Sequence, residues 1–457
     1  MNNRVPLLLF ALAAAFAPRA EAASLDLTTE YRMRVLAYSN LSLNTEQPNN
    51  HSFISQSARL GFVLKNIHLT DARGESETLD IAIKLRALGV AGSTTPFATP
   101  FDRAADQYPD TSFVPFLENA YLAAHHLGGV PWDLTVGRQT FRLGTGLLLD
   151  DNGAGLTGIS AKGDLPWGGI KTEGFMFQAR NSQLGAVANN LDVFGFTVEV
   201  PSEGTWQLHQ LIEKDRTTQT AAPNGCGGAG CLVSGATRWF SSLRYRIAFG
   251  PLVFDGEAAL QKGAATPTDA PGVAAAQNHV TYDGNAQVFR AKWKQRFYRD
   301  VRGIARFTLA RGSGDDPTTP TTDEAFFPSN GHRFDGLERA GIGEFFGATP
   351  YDAFGGQSTA TASGLHRGVS GIIAVGMGVT PPAYRGIVMD LDYYLFQADR
   401  NLGPDRTLGT EFDIRLRYDI RERFTLRASA ALFNAGNASN VVKNSSRRYL
   451  FEAMGRF

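Results

Sequence analysis

Period two governs this chain. Leu25, Leu27, Thr29, Tyr31, Met33 and Val35 alternate with Asp26, Glu30, Arg32 and Arg34. Leu79, Ile81, Ile83 and Leu85 alternate with Asp80, Lys84 and Arg86. Trp239, Leu243, Tyr245 and Ile247 alternate with Arg238, Arg244 and Arg246. The same holds for Ile387 to Leu395 against Asp390 and Asp392, and for Phe412 to Ile420 against Glu411, Asp413, Arg415 and Arg417. The chain finishes with Tyr449, Phe451, Ala453 and Phe457 on one parity and Arg448, Glu452 and Arg456 on the other. A strand sends successive side chains to opposite faces, so each segment carries one apolar and one charged face. A wall built of such strands suits the boundary between two solvents.

No segment reads as a convincing amphipathic helix. The connections alternate between tight and long. Tight ones include Gly128-Gly129-Val130-Pro131, Pro201 to Gly204, Phe249-Gly250-Pro251, Tyr298-Arg299-Asp300 and Arg421-Glu422-Arg423. Long ones include Asn40 to His51, Leu88 to Thr111, Asp215 to Ala236, Lys262 to Asp283 and Gly312 to Gly364. Short periplasmic turns and long extracellular loops are the pattern of an all-β transmembrane antiparallel barrel, with about 18 strands, in a range of about 16 to 20. The strands are expected to start near residues 24, 52, 77, 113, 132, 156, 169, 190, 204, 237, 251, 285, 301, 365, 385, 408, 423 and 447. Asp335 to Phe354 could hide one more pair. A propeller would show a repeat of about 40 residues, which is not seen. A sandwich buries its apolar face in one core, and charges inside nearly every strand argue against a buried second face.

At the other end, Arg4 precedes the apolar run Val5 to Ala17, and Ala20-Glu21-Ala22 fits a small-x-small cleavage site. Residues 1–22 are therefore expected to be a cleaved signal peptide, and 23–457 a single barrel domain. Cys226 and Cys231 sit in a glycine-rich loop. In an oxidising periplasm they are expected to close a small disulfide loop, since no further metal ligand lies beside them.

Formal net charge is zero, so overall charge identifies no partner. Its distribution does more. Acids concentrate in loops. Bases recur inside strands opposite the apolar parity: Arg32, Arg34, Arg59, Arg86, Arg238, Arg244, Arg246, Arg290, Lys292, Lys294, Arg302, Arg306, Arg415 and Arg417. A charge facing lipid at the midplane costs about 2–4 kcal/mol, so these bases are expected to line a lumen. There they would attract anions, arginine holding carboxylates with its planar fork. The opposing reading is that acids across the barrel neutralise every one of them. Arg138 breaks the pattern by sharing parity with Leu134 and Val136. Either a bulge near Gly137 turns it inward or it lies beyond the lipid band.

Three stretches resemble the alginate-export family of Gram-negative outer-membrane barrels. They are Val136-Gly137-Arg138-Gln139 with Leu143-Gly144-Thr145-Gly146-Leu147 and Asp150-Asp151; Ala325 to Gly336; and Leu408 to Asp413 running through the last hairpin. The terminal strand ending on Phe457 likewise looks like the assembly signal of such barrels. The resemblance implies a monomeric 18-stranded barrel in the outer membrane, with an arginine-rich, anion-selective pore that passes an acidic polysaccharide or oligosaccharide. It points to the inward bases as the pore-lining and substrate-binding set, with Glu411 and Asp413 as the acids nearest a motif. Gly312 to Gly364 is the candidate gating loop. The expected partners are outer-membrane lipid and lipopolysaccharide, the barrel-assembly machinery and an anionic saccharide, with no nucleic acid.

No cofactor, metal or catalytic site is expected. Asp150-Asp151-Asn152-Gly153 offers too few oxygens for calcium and reads as a turn. His125-His126 reads as turn-proximal, and no serine motif comes with a triad partner. The competing functions are a general small-solute porin and a plugged structural or enzymatic barrel.

Overall fold

The computed structural model describes residues 23–40, 50–69, 77–92, 115–151, 155–180, 191–216, 219–220, 232–268, 280–298, 301–316, 318–319, 321–329, 342–346, 370–400, 404–439 and 445–457. Eighteen long strands form the wall: β1 Ser24–Ser39, β2 His51–His68, β3 Thr78–Gly92, β4 Pro115–His125, β5 Trp132–Gln139, β6 Leu156–Asp164, β7 Lys171–Arg180, β8 Leu191–Pro201, β9 Thr205–Asp215, β10 Leu232–Phe249, β11 Leu252–Thr268, β12 Val280–Tyr298, β13 Val301–Gly312, β14 Ser370–Thr380, β15 Ile387–Arg400, β16 Thr407–Ile420, β17 Phe424–Ala435 and β18 Ser445–Arg456. Each pairs antiparallel with its neighbours in sequence, and β18 pairs with β1 from Arg456↔Glu30 to Arg447↔Ser39. The sheet is thus a closed barrel in which each of the eighteen described strands is paired on both sides, as a wall facing lipid requires.

The even strand count, the tight and long ends, and the pairing of the last strand with the first agree with the alternation. Strand starts differ from expectation by a few residues, most at β10 and β12, where pairing extends the ladder into loop sequence, and at β14, whose described residues begin at Ser370. Two further two-residue strands, Gln219–Thr220 and Thr322–Asp323, belong to loops. Within Asp335 to Phe354, residues 342–346 run as a turn, and the rest lies outside the described residues.

The outer face is a band of exposed apolar side chains, among them Tyr31, Phe62, Leu122, Met176, Trp206, Trp239, Leu260, Trp293, Met377 and Phe451. A continuous apolar belt of this extent is untenable in water and meets lipid instead. Arg138 is the penultimate residue of β5, at its long-loop end. The β5–β6 ladder runs past it and the β4–β5 ladder ends on it, neither with a register shift, so no bulge turns it inward.

The barrel is not an empty tube. The buried apolar cluster lies inside it, where loop residues Phe141, Leu143, Leu147, Leu148, Leu149, Phe326, Phe345 and Phe346 meet inward wall residues such as Phe175, Phe177, Phe240, Phe396 and Phe433.

Candidate functional site

All the basic positions singled out on the strands share the inward parity, and the structure sorts them into two groups. The first group is paired. Arg34 Nε lies 2.5 Å from Glu452 Oε2, and Arg59 contacts Glu30 at 3.2 Å and Glu118 at 3.0 Å. Arg86, almost fully buried, lies 3.6 Å from the same Glu118. Arg32 sits between Glu30 and Arg34 on β1. Arg238 is buried against Glu213, with Nε to Oε1 at 2.7 Å, and donates to the Phe327 carbonyl at 3.2 Å. Arg244 grips Asp255 with two bonds of 2.8 and 2.7 Å. Arg306 reaches two strands away, to Asp390 at 2.7 Å and Asp392 at 2.9 Å. Gly378 on the intervening β14 makes this reach possible, because a Cβ there would lie 1.7 Å from Asp392 Oδ1. Arg415 also holds Asp392, and Arg417 lies 3.2 Å from Asp419.

The second group is Arg246, Arg290, Lys292, Lys294 and Arg302. Among the described residues the side chains of these five make no hydrogen bond and no ion pair within 4.0 Å, although Arg246 and Arg290 feel the charge of Asp255. They cluster on β10, β12 and β13, in the strand halves next to the tight turn Phe249–Leu252 and to the paired strand ends Tyr298 and Val301. Register brings Lys292 opposite Arg306 and Arg246 opposite Asp255. Neutralisation across the barrel is therefore incomplete, and its remainder is concentrated on one side at the tight-turn end.

Two long loops fold into the lumen and join each other. After β5, Phe141 packs its ring 4.7 Å from Phe175 and 4.6 Å from Phe177. The amide of Thr145 donates to Glu257 Oε2 at 2.7 Å, tying this loop to β11. After β13, Phe326 meets Phe240, and Phe327 N–H donates to Gln261 Oε1 at 2.9 Å. The Ser329 amide then donates to the Leu148 carbonyl at 2.9 Å, and Leu149 bridges Ser329 in parallel. The first two stretches that carried the family resemblance are thus the two inserted loops. In the turn that closes the first, Asp150 lies 3.1 Å from Arg142, and Asp151 accepts the Gly155 amide. No group of acids, histidines and cysteines suited to a metal occurs among the described residues.

The third stretch holds a third insertion, Ile342 to Phe346. Glu411 accepts the Phe345 and Phe346 amides at 2.5 and 3.0 Å, and Asp413 accepts the Glu344 amide at 2.9 Å. Phe345 and Phe346 stack on Phe433, and Phe346 on Phe396 at 4.5 Å. Glu411 and Asp413 do face the lumen, but they lie buried beneath this turn. They anchor it rather than meet a solute. Beside the turn is a cavity of about 390 Å³ lined by Arg34, Arg415, Arg417, Arg427, Arg448 and Ser429, with Glu344, Asp390 and Glu452 as its acids.

Glu344 carries no periodic signal, since it belongs to no strand. The run Gly343-Glu344-Phe345-Phe346, a charged residue between a glycine and two rings, was the available clue. Arg448 was legible on the face opposite Tyr449 and Phe451, but its place in the cavity was not. Cys226 and Cys231 and the amino-terminal 22 residues lie outside the described residues. His125 sits at a tight turn as expected, bonded to Asp133 at 2.9 Å.

No family model matches the chain. No curated protein matches it either. Solved structures do. OccAB1 of Acinetobacter baumannii is 10% identical with a TM-score of 0.54, the match covering 95% of this chain and 97% of that one. OpdK of Pseudomonas aeruginosa, determined with vanillate, is 10% identical with a TM-score of 0.50, covering 94% and 98%. A BenF-like porin from Pseudomonas fluorescens Pf-5 is 11% identical with a TM-score of 0.50, covering 94% and 99%. Identity this low makes the likeness one of fold, and it does not single out the alginate-export family. The closed 18-stranded barrel with its apolar outer belt is the fold of Gram-negative outer-membrane porins, which are channels rather than enzymes.

Proposed function

We propose that this barrel is a passive outer-membrane channel that prefers carboxylate-bearing anions, acidic oligosaccharides among them. The observation that carries the reading is the block of unpaired bases, Arg246, Arg290, Lys292, Lys294 and Arg302, on one side of the lumen. Arg246 and Arg290 share Asp255 with Arg244, which leaves fixed positive charge in excess, and in a narrow space with low-dielectric walls that excess raises the concentration of mobile anions. The paired arginines add order: each is held by its acid in one orientation, ready to share a carboxylate. OpdK, the neighbour determined with vanillate, was solved with a small carboxylate. The three insertions narrow the lumen, which favours short solutes over a bulky polymer.

Reversal potential in planar bilayers under a potassium chloride gradient tests this. Anion selectivity, with block by oligouronates, is the expected result. Cation selectivity overturns it. Equal passage of neutral and acidic sugars into liposomes would mark a general porin, and absence of any conductance a plugged barrel.

A further inference from the structure

The turn Ile342 to Phe346 is held twice over, by its backbone and by one side chain. The backbone hold consists of the three amides on Glu411 and Asp413 and the stacked rings of Phe345 and Phe346. It also requires Gly343. That residue has φ +86°, and a Cβ there would lie 2.5 Å from Glu411 Oε2. The side chain of Glu344 does something separate. It reaches into the arginine-lined cavity, where Arg448 Nη1 donates to Oε2, Ser429 Oγ donates to the same oxygen at 3.3 Å, and Arg415 Nη1 lies 3.5 Å from Oε1. Arg448 is fixed in turn by Tyr38, whose hydroxyl accepts from Nε at 3.3 Å. Burial works against the charge of Glu344, but Arg448 and Arg415 outweigh it and hold the carboxyl below the usual carboxylate range. One fifth of the Glu344 side chain is exposed, against 6% of Arg448, so the carboxylate lies between Arg448 and the open cavity, with Arg415 at its side.

We infer that Glu344 is a tethered competitor for a carboxylate subsite formed by Arg415, Arg448 and Ser429. Its carboxylate is the same chemical group that a uronate or a small organic acid would present. Two carboxylates sharing one pair of guanidinium forks repel each other, so solute and Glu344 exclude one another there. The subsite is therefore self-occupied at rest. A permeating carboxylate binds only by displacing the side chain, which weakens retention and keeps anions moving. The inference rests on the anion-channel reading.

Because the turn is anchored by its backbone, Glu344→Gln removes the competing charge and leaves the turn in place. The full-length barrel in planar bilayers, with glucuronate as the probe, separates the possibilities. In Glu344→Gln the half-blocking concentration of glucuronate is expected to fall about tenfold, equivalent to about 1.4 kcal/mol. Adding Arg448→Met is expected to abolish that gain. Ser429→Ala removes a donor from the resident and the incoming carboxylate alike, and is expected to leave block near the wild-type value. Unchanged block in Glu344→Gln, in channels that stay anion-selective, overturns the inference and leaves the proposed function standing. Absence of anion preference in wild type and variants alike removes the function itself.

Discussion

Phe457 closes the barrel through Thr29. Its amide donates to the Thr29 carbonyl at 2.9 Å, and its own carbonyl accepts the Thr29 amide at 2.7 Å. The ring stays exposed on the lipid side, three quarters accessible. The last residue therefore ends the apolar stripe of β18 and completes the seam with β1.

Deleting Phe457 removes both seam bonds, each worth about 1 kcal/mol net. Assembly is expected to suffer more than this sum, since the seam is the step that eliminates free edges. Heat-modifiable electrophoretic mobility of membrane extracts should show a reduced folded fraction. Barrels that do fold should keep wild-type selectivity, and altered selectivity would contradict a purely closing role.

Arg238 and Glu213 form a buried pair at the level of the infolded loops. Arg238→Met leaves Glu213, which is fully buried, without its guanidinium, at an expected cost of about 3–5 kcal/mol. Combining it with Glu213→Gln should recover much of the loss. Guanidinium unfolding of the refolded barrel, followed by tryptophan fluorescence, measures both. Equal stabilities for the single and double variants would mean that the two charges are not coupled.

Lys292→Glu with Lys294→Glu puts two acids where the structure leaves two bases unpaired. The reversal potential should move toward cation preference with little change in stability, because neither lysine has a partner to lose. Arg244→Glu is a poorer test, since it sets a carboxylate against Asp255 and disturbs folding as well as selectivity. An unchanged reversal potential after the lysine reversals would place the selectivity element elsewhere.

Asp323 predicts a pH response in the loop after β13. Burial raises its carboxyl to about 6 from the usual 3.8, the Ala325 amide and Arg238 opposing the rise and Glu324 adding to it. A folded-state value above the unfolded one contributes stability that is fully present below about 3.8 and is lost as pH rises through about 6. Hydrogen exchange at Ala325, corrected for intrinsic rate, should therefore show more protection at pH 5 than at pH 7. Asp323→Asn should flatten that difference, and a slope of opposite sign would refute the assignment.

Much of the architecture was legible before any tertiary contact. Ile387 to Leu395 shows why. Its alternation is a local property, enforced residue by residue by the pleat and by the unlike solvents on the two faces. Parity alone thus assigned Arg246, Lys292, Lys294 and Arg302 to the lumen, and glycine- and proline-marked turns supplied the polarity of the two ends. Arg306 shows the limit. Its acids sit two strands away, across glycines whose role only register reveals.

The sequence by itself determined a closed barrel of about 18 strands, the lipid and lumen faces, and the inward direction of the bases, and the structure settled the count at 18. Tertiary structure alone decided which bases keep free charge, which loops enter the lumen, and that Glu411 and Asp413 grip a turn instead of lining a path. The reason is the range of the forces. Face selection is settled within a strand, whereas ion pairing and loop insertion depend on strand register and on groups more than 60 residues apart, such as Phe345 on Glu411 and Glu344 on Arg448.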